Sequence, residues 1–194
     1  MIERLVSEGN NSPADILLTV DAGRLYRAKA AGILQPVESK KMYENVPSSM
    51  RDPDGYWFGL TVRARVLVYS KERVKPSQLS TYEDLATRKW RGKIAVRSSS
   101  NIYNQSLMAS MIEANGSRKA LSWAKSVRKN MARAPRGSDR DQARAVAAGL
   151  ADVAIMNTYY LGILANSLDA KDREVFKKVS VFFPNQEDRG THIN

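Results

Sequence analysis

Twice in this chain a short apolar run with strand character passes directly into a helical one. Residues 93–97 (Lys93-Ile-Ala-Val-Arg97) lead through Ser98-Ser99-Ser100-Asn101-Ile102-Tyr103-Asn104 into a helical pattern that reaches residue 114. Residues 151–156 lead through Asn157-Thr158-Tyr159-Tyr160 into a second helical pattern over 158–166. Strands alternating with helices imply an open α/β sheet, and such sheets bind ligands beyond the carboxyl ends of their strands. Both junctions carry tyrosine at that place. Neighbours in a regular helix point about 100° apart, so the phenols of Tyr159 and Tyr160 are expected to converge where the backbone is still turning. Tyr103 shares their edge if the two strands lie near each other in parallel, with N-caps and free N–H groups from the serines and Asn101 beside it.

Three phenols at one crevice suggest a hard metal ion. A phenol has a pKa near ~10 and ligates poorly while neutral, so such a site suits a cation acidic enough to displace the proton near neutral pH. Ferric iron is such a cation. Zinc prefers Cys and His, whereas this chain has no cysteine and one histidine. Calcium and magnesium prefer clustered carboxylates and carbonyls. Tyrosines near strand ends also serve as half-buried packing, and the residues alone leave that reading open.

Several stretches resemble the ferric-ion-binding proteins of bacterial ABC importers, within the periplasmic substrate-binding superfamily. They are Ser12-Pro13-Ala14-Asp15 continuing to Val20-Asp21-Ala22-Gly23, Trp57-Phe58-Gly59 continuing to Arg63-Ala-Arg65 and Tyr69, Arg136-Gly137-Ser138-Asp139, Asn157-Thr158-Tyr159-Tyr160, and Gly190-Thr191-His192-Ile193-Asn194. They span nearly the whole chain in family order. The resemblance implies a two-lobed α/β fold of the type 2 periplasmic-binding kind. Its first lobe would be incomplete over residues 1–65, its second lobe would occupy 66–189, and a return hinge strand would begin at 190–194.

By the same resemblance, Tyr159 and Tyr160 supply two phenolates to Fe³⁺ and Tyr103 a third. A tyrosine at position 103 implies a site that needs no added carbonate or phosphate. Asp21 falls near a first-lobe carboxylate ligand of some members. Arg63 is read either as a cation steadying the phenolates or as a surface charge on the hinge, and Asn157 as orienting the tyrosine loop or simply forming its turn. The implied role is delivery of ferric iron to an inner-membrane ABC permease from the periplasm, by a monomer with no catalytic function. Family members start with a signal peptide and a first strand and helix carrying an early ligand, so the chain is expected to be an internal fragment. Binding of a small organic or inorganic anion by the same fold is the alternative.

The formal charge of +11, from 31 Lys and Arg against 20 Asp and Glu, raises a nucleic-acid-binding domain as a further alternative. The basic residues are dispersed, and the denser runs at 88–93 and 125–144 match no helix-turn-helix, finger or RNA-recognition pattern. A solvated basic surface is the expectation. No stretch approaches the ~18 to 20 apolar residues of a membrane span, so no membrane insertion is expected. Catalysis lacks parts: His192 has no partner at a motif spacing, no phosphate loop or dinucleotide fingerprint is present, and Asp139 and Asp141 read as helix-start charges.

The remaining pattern predicts helices over 1–8, 22–31, 81–86, 117–131 and from Ser138 to Gly149, and strands over 15–20, 56–61, 65–70 and 178–183. Residues 35–55 read as a loop, and residues 63–65 as a hinge. His192 is expected to be structural, as are Tyr26, Tyr43, Tyr56, Tyr69, Tyr82 and the Trp57-Phe58 pair. The Ser98–Ser100 run is read as capping or as an anion cradle.

Overall fold

A computed structural model describes all residues, 1–194, and divides them into two compact units: Met1–Val62 with Asn194, and Arg63–Ile193. The smaller unit contains helices α1 (Ile2–Glu8), α2 (Ala22–Ala30) and α3 (Lys40–Asn45). Its only buried apolar side chains are Ala28 and Val46. Polar contacts hold it instead. Lys29 donates at 2.8 Å to both Asp52 and Asp54, and Arg51 donates to the carbonyls of Tyr43 and Val46. Tyr43 and Phe58 meet edge to face at 5.6 Å.

Two expected strands are absent from this unit. Residues 15–20 and 56–61 are irregular, and apart from a single bridge between Arg51 and Phe58 they have no strand alongside to complete a ladder. Three of their apolar side chains, Ile16, Leu18 and Leu60, are left exposed. The expected loop over 35–55 contains α3, which Ser39 caps by accepting from the N–H of Met42.

The larger unit is built on a four-stranded sheet. In chain order its elements are β1 (Arg65–Ser70), β2 (Ile94–Ala95), α4 (Ile102–Asn115), α5 (Ser117–Asn130), α6 (Asp139–Ala147), β3 (Val153–Asn157), α7 (Tyr159–Ala165), α8 (Ala170–Lys178) and β4 (Val179–Phe182). The spatial order is β2-β3-β1-β4. β2 and β3 are parallel, while β1 runs antiparallel to both β3 and β4.

Both faces of this sheet are covered, which explains why β1 and β3 read as continuous apolar runs. Leu67 and Tyr69 of β1, Ile94 of β2, and Val153 and Ile155 of β3 point to one side. There they pack with Leu107 and Met111 of α4 and Val127 of α5. Val66 and Val68, Ala95, and Ala154 and Met156 point to the other, against Ala143 and Val146 of α6 and Leu161 and Leu164 of α7. Each fully buried Val, Leu, Ile or Met side chain contributes about 1.5–3 kcal/mol.

The local signals account for the helix ends. Asn101 caps α4 by accepting from the N–H of Tyr103 at 3.0 Å, and Ser138 and Asp141 form a reciprocal capping box on α6. Gly137 just before that box has φ 74°, and a Cβ there would lie 2.7 Å from the Asp141 carboxylate. The expected helix over 81–86 shrinks to a 3-10 turn, Glu83–Ala86. α8 was not anticipated. Its run Ala170-Lys-Asp-Arg-Glu-Val-Phe-Lys-Lys is mostly charged, yet Asp169 caps it and its buried Asp172 accepts from Arg144 at 2.8 Å.

Candidate metal centre

The parallel pairing of Ile94 with Val153 and Ala95 with Ala154 puts the carboxyl ends of β2 and β3 at one edge. α4 begins after the first and α7 after the second, so Tyr103 meets Tyr159 and Tyr160 there. The hydroxyls of Tyr103 and Tyr159 are 3.4 Å apart. The rings of Tyr159 and Tyr160 lie with centroids 4.1 Å apart, tilted by 33°, and the Tyr160 phenol is a further hydrogen-bonding neighbour of Tyr159. All three are partly buried.

The means of convergence differs from the expected one. Thr158 is already helical, at φ −52° and ψ −45°, and the pair occupies the first two positions of α7 rather than a non-helical turn. The two side chains meet because their aromatic faces lie against each other, an attraction that offsets the angular spread of adjacent helical positions.

Burial pushes the Tyr159 phenol well above its ordinary pKa, and its hydrogen bonds with Tyr103 and Tyr160 push it further. The phenol is therefore neutral near pH 7. Any cation that ligates it must displace a proton.

Beneath the phenols lies a buried network. Arg65, at the head of β1, is fully buried and opposite Asn157 in the β1–β3 register. Its guanidinium donates to Asp139 at 2.5 Å, to Asn157 Oδ1 at 3.3 Å and to Asn104 Oδ1 at 2.6 Å. Asp139, also fully buried, accepts from the backbone N–H of Asn157 at 2.9 Å and from Arg97 at 3.3 Å. The guanidinium carbons of Arg65 and Arg97 stand 5.9 and 5.7 Å from the centre of the Tyr103 ring. Two cations against one carboxylate leave this side of the site electropositive, which suits phenolates above it.

The other candidates separate. Arg63 lies over the Tyr159 ring at 5.8 Å, so it stands at the site. Asn157 holds the end of β3 through its N–H to Asp139 and its side-chain oxygen to Arg65. Asp21 belongs to the smaller unit, where its carboxylate accepts from the N–H of Gly23 at 2.9 Å and from Asn194 at 3.2 Å. His192 bonds through its ring nitrogen to Ser106 at 3.0 Å, and its carbonyl accepts from the N–H of Arg65. Tyr82 is a structural phenol: its hydroxyl donates to the carbonyl of Arg65 and accepts from the N–H of His192.

Sequence reasoning read Asp139 as a helix-start charge, and the structure shows it also closing the network below Tyr103. The available signal was Arg65, a lone charge opening the run Val66-Leu67-Val68, which the sheet can bury only with an anion beside it. No cluster of three or more His, Cys, Asp or Glu side chains offers a second kind of metal site.

Residues 11–186 match the family described as bacterial extracellular solute-binding protein. Iron uptake protein A1 of Synechocystis sp. is 55% identical over 194 residues, covering 100% of this chain and 54% of the relative, so the chain spans about half of that relative's length. The Trichodesmium protein IdiA/FutA, solved with iron and citrate, is 56% identical with a TM-score of 0.96 over 100% of this chain and 61% of its own. The ferric binding protein of Campylobacter jejuni is 48% identical with a TM-score of 0.95 over the same shares. These relatives are named for taking up or binding iron, not for catalysing a reaction. No helix of this chain is long and apolar enough to cross a membrane.

Proposed function

Because the chain belongs to the bacterial extracellular solute-binding proteins, we propose that it binds ferric iron through the phenolates of Tyr103, Tyr159 and Tyr160. It does so as the periplasmic carrier of an ABC importer, handing the ion to an inner-membrane permease. The observation that carries this reading is the meeting of three phenols at one sheet edge, with Tyr159 in hydrogen-bonding range of both others. Three phenolates match the charge of Fe³⁺, whereas they offer calcium or magnesium few of the carboxylate and carbonyl oxygens those ions favour. Arg63 stands 5.8 Å from the centre of the Tyr159 ring, and Arg65 and Arg97 stand 5.9 and 5.7 Å from that of Tyr103, so positive charge surrounds the site.

Adding ferric nitrilotriacetate to the purified chain tests the proposal. A visible phenolate-to-iron charge-transfer band is expected, and its absence at saturating ferric chelate would overturn the assignment.

The pH dependence follows from the protonated resting state. The Tyr159 phenol is held above its ordinary range, so at any pH below that range a Tyr159 phenolate that binds the ion has displaced a proton. Affinity for free Fe³⁺ therefore falls on acidification, by about one decade per pH unit for each phenol that ligates. Chelator competition between pH 8 and 5.5 reads this slope. A pH-independent affinity would mean that carboxylates hold the metal.

A further inference from the structure

The side chain of Asn104 connects parts of the tyrosine edge that are far apart in sequence. Its Oδ1 accepts from the buried Arg65 at 2.6 Å, and its Nδ2 donates to the carbonyls of Arg97 at 2.9 Å and Ser98 at 3.2 Å. Arg65 passes the connection to Asp139, and Asp139 passes it to the N–H of Asn157, two residues before Tyr159. A continuous chain of hydrogen bonds thus joins the residue after Tyr103 to the strand end that launches Tyr159.

Asn104 is one of several holds on the start of α4, beside the Asn101 cap, the buried Ile102 and the bond from Ser106 to His192. Ser98, Ser99 and Ser100, which lead into α4, are exposed, and the helix buries Ile102 in its first turn and Leu107 and Met111 further along. Among the polar contacts of that first turn, those of Asn104 tie it both to β1, through Arg65, and to the carbonyls of the segment that follows β2.

We propose that Asn104 is a positioning residue for metal binding, setting the reach of Tyr103 toward the ion held by Tyr159 and Tyr160. The inference rests on the ferric reading above. Asn104 touches no metal. Its effect passes through Tyr103 and must vanish when the Tyr103 hydroxyl is removed.

A double-mutant cycle on the full 194-residue chain tests this, with ferric nitrilotriacetate as the probe. Asn104→Ala is expected to move the charge-transfer band as Tyr103→Phe does and to speed iron loss to a competing chelator about tenfold. In the Tyr103→Phe background, Asn104→Ala is expected to change that rate by less than about twofold. Additive effects, or an Asn104→Ala band identical to that of the unaltered chain, would overturn the proposal. A purely structural role would lower the unfolding temperature without moving the band. If Asn104→Ala does not fold, Asn104→Asp supports the same cycle, since it keeps the acceptor for Arg65 and loses both donors. Failure of the unaltered chain to develop any band would reject the ferric reading itself, an outcome distinct from an additive cycle.

Discussion

Replacing Tyr159 and Tyr160 together by phenylalanine is expected to abolish ferric binding and leave the fold in place. Each change removes one oxygen from a partly buried ring and retains the aromatic faces that lie 4.1 Å apart. α7 remains anchored by the buried Leu161 and Leu164. On the proposed site two of three phenolates would be lost, so the loss of affinity should exceed the about 10–100-fold typical of residues that only support a ligand. Tyr103→Phe should weaken binding less, because the adjacent pair remains. Titration with ferric nitrilotriacetate, followed by the visible band and by circular dichroism, separates binding from folding. A double variant that folds and still develops the full band would show that the iron is held elsewhere.

Asp139→Ala is expected to cost about 3–5 kcal/mol of stability, the range for breaking a buried ion pair from one side. Both Arg65 and Asp139 are wholly excluded from solvent, and Asp139 also satisfies the N–H of Asn157 and binds Arg97. Deleting the carboxylate strands a guanidinium and a backbone donor within the sheet edge. Exchanging both partners for apolar residues of similar volume, Arg65→Met with Asp139→Leu, should recover part of the loss because the fully buried guanidinium goes with the carboxylate. Urea unfolding monitored by tryptophan fluorescence measures both, and a loss below about 1 kcal/mol for Asp139→Ala would show that the pair is not a structural keystone.

The larger unit was legible in the sequence where each strand meets helices on both faces. β1 and β3 present unbroken apolar runs, Asn101 and the Ser138–Asp141 box mark helix starts, and the tyrosine edge follows from the parallel pairing of β2 with β3. The smaller unit was not. Residues 15–20 and 56–61 have strand composition, but a strand exists only by pairing, and local pattern does not report whether a neighbour is present. The same limit hid the network below the phenols. Arg65, Asn104 and Asp139 are distant in sequence, and only the register of β1 against β3 and the placement of α4 and α6 bring them together. α8 escaped notice because its buried face includes an aspartate paired with Arg144, which a hydrophobic pattern does not register.

The topology also sets an order of events. β1 is central, yet its partners β3 and β4 follow it by three and five helices. Such distant pairings close late, since long loops lose their entropy before the strand contacts compensate. Tyr103 can enter its helix early through local contacts within α4 and α5, but it meets Tyr159 only once β3 has docked between β1 and β2. During refolding in the presence of ferric nitrilotriacetate, helical signal should therefore rise first and the iron–phenolate colour should appear with the slowest phase. The metal would act as a chromogenic reporter of the final strand closure.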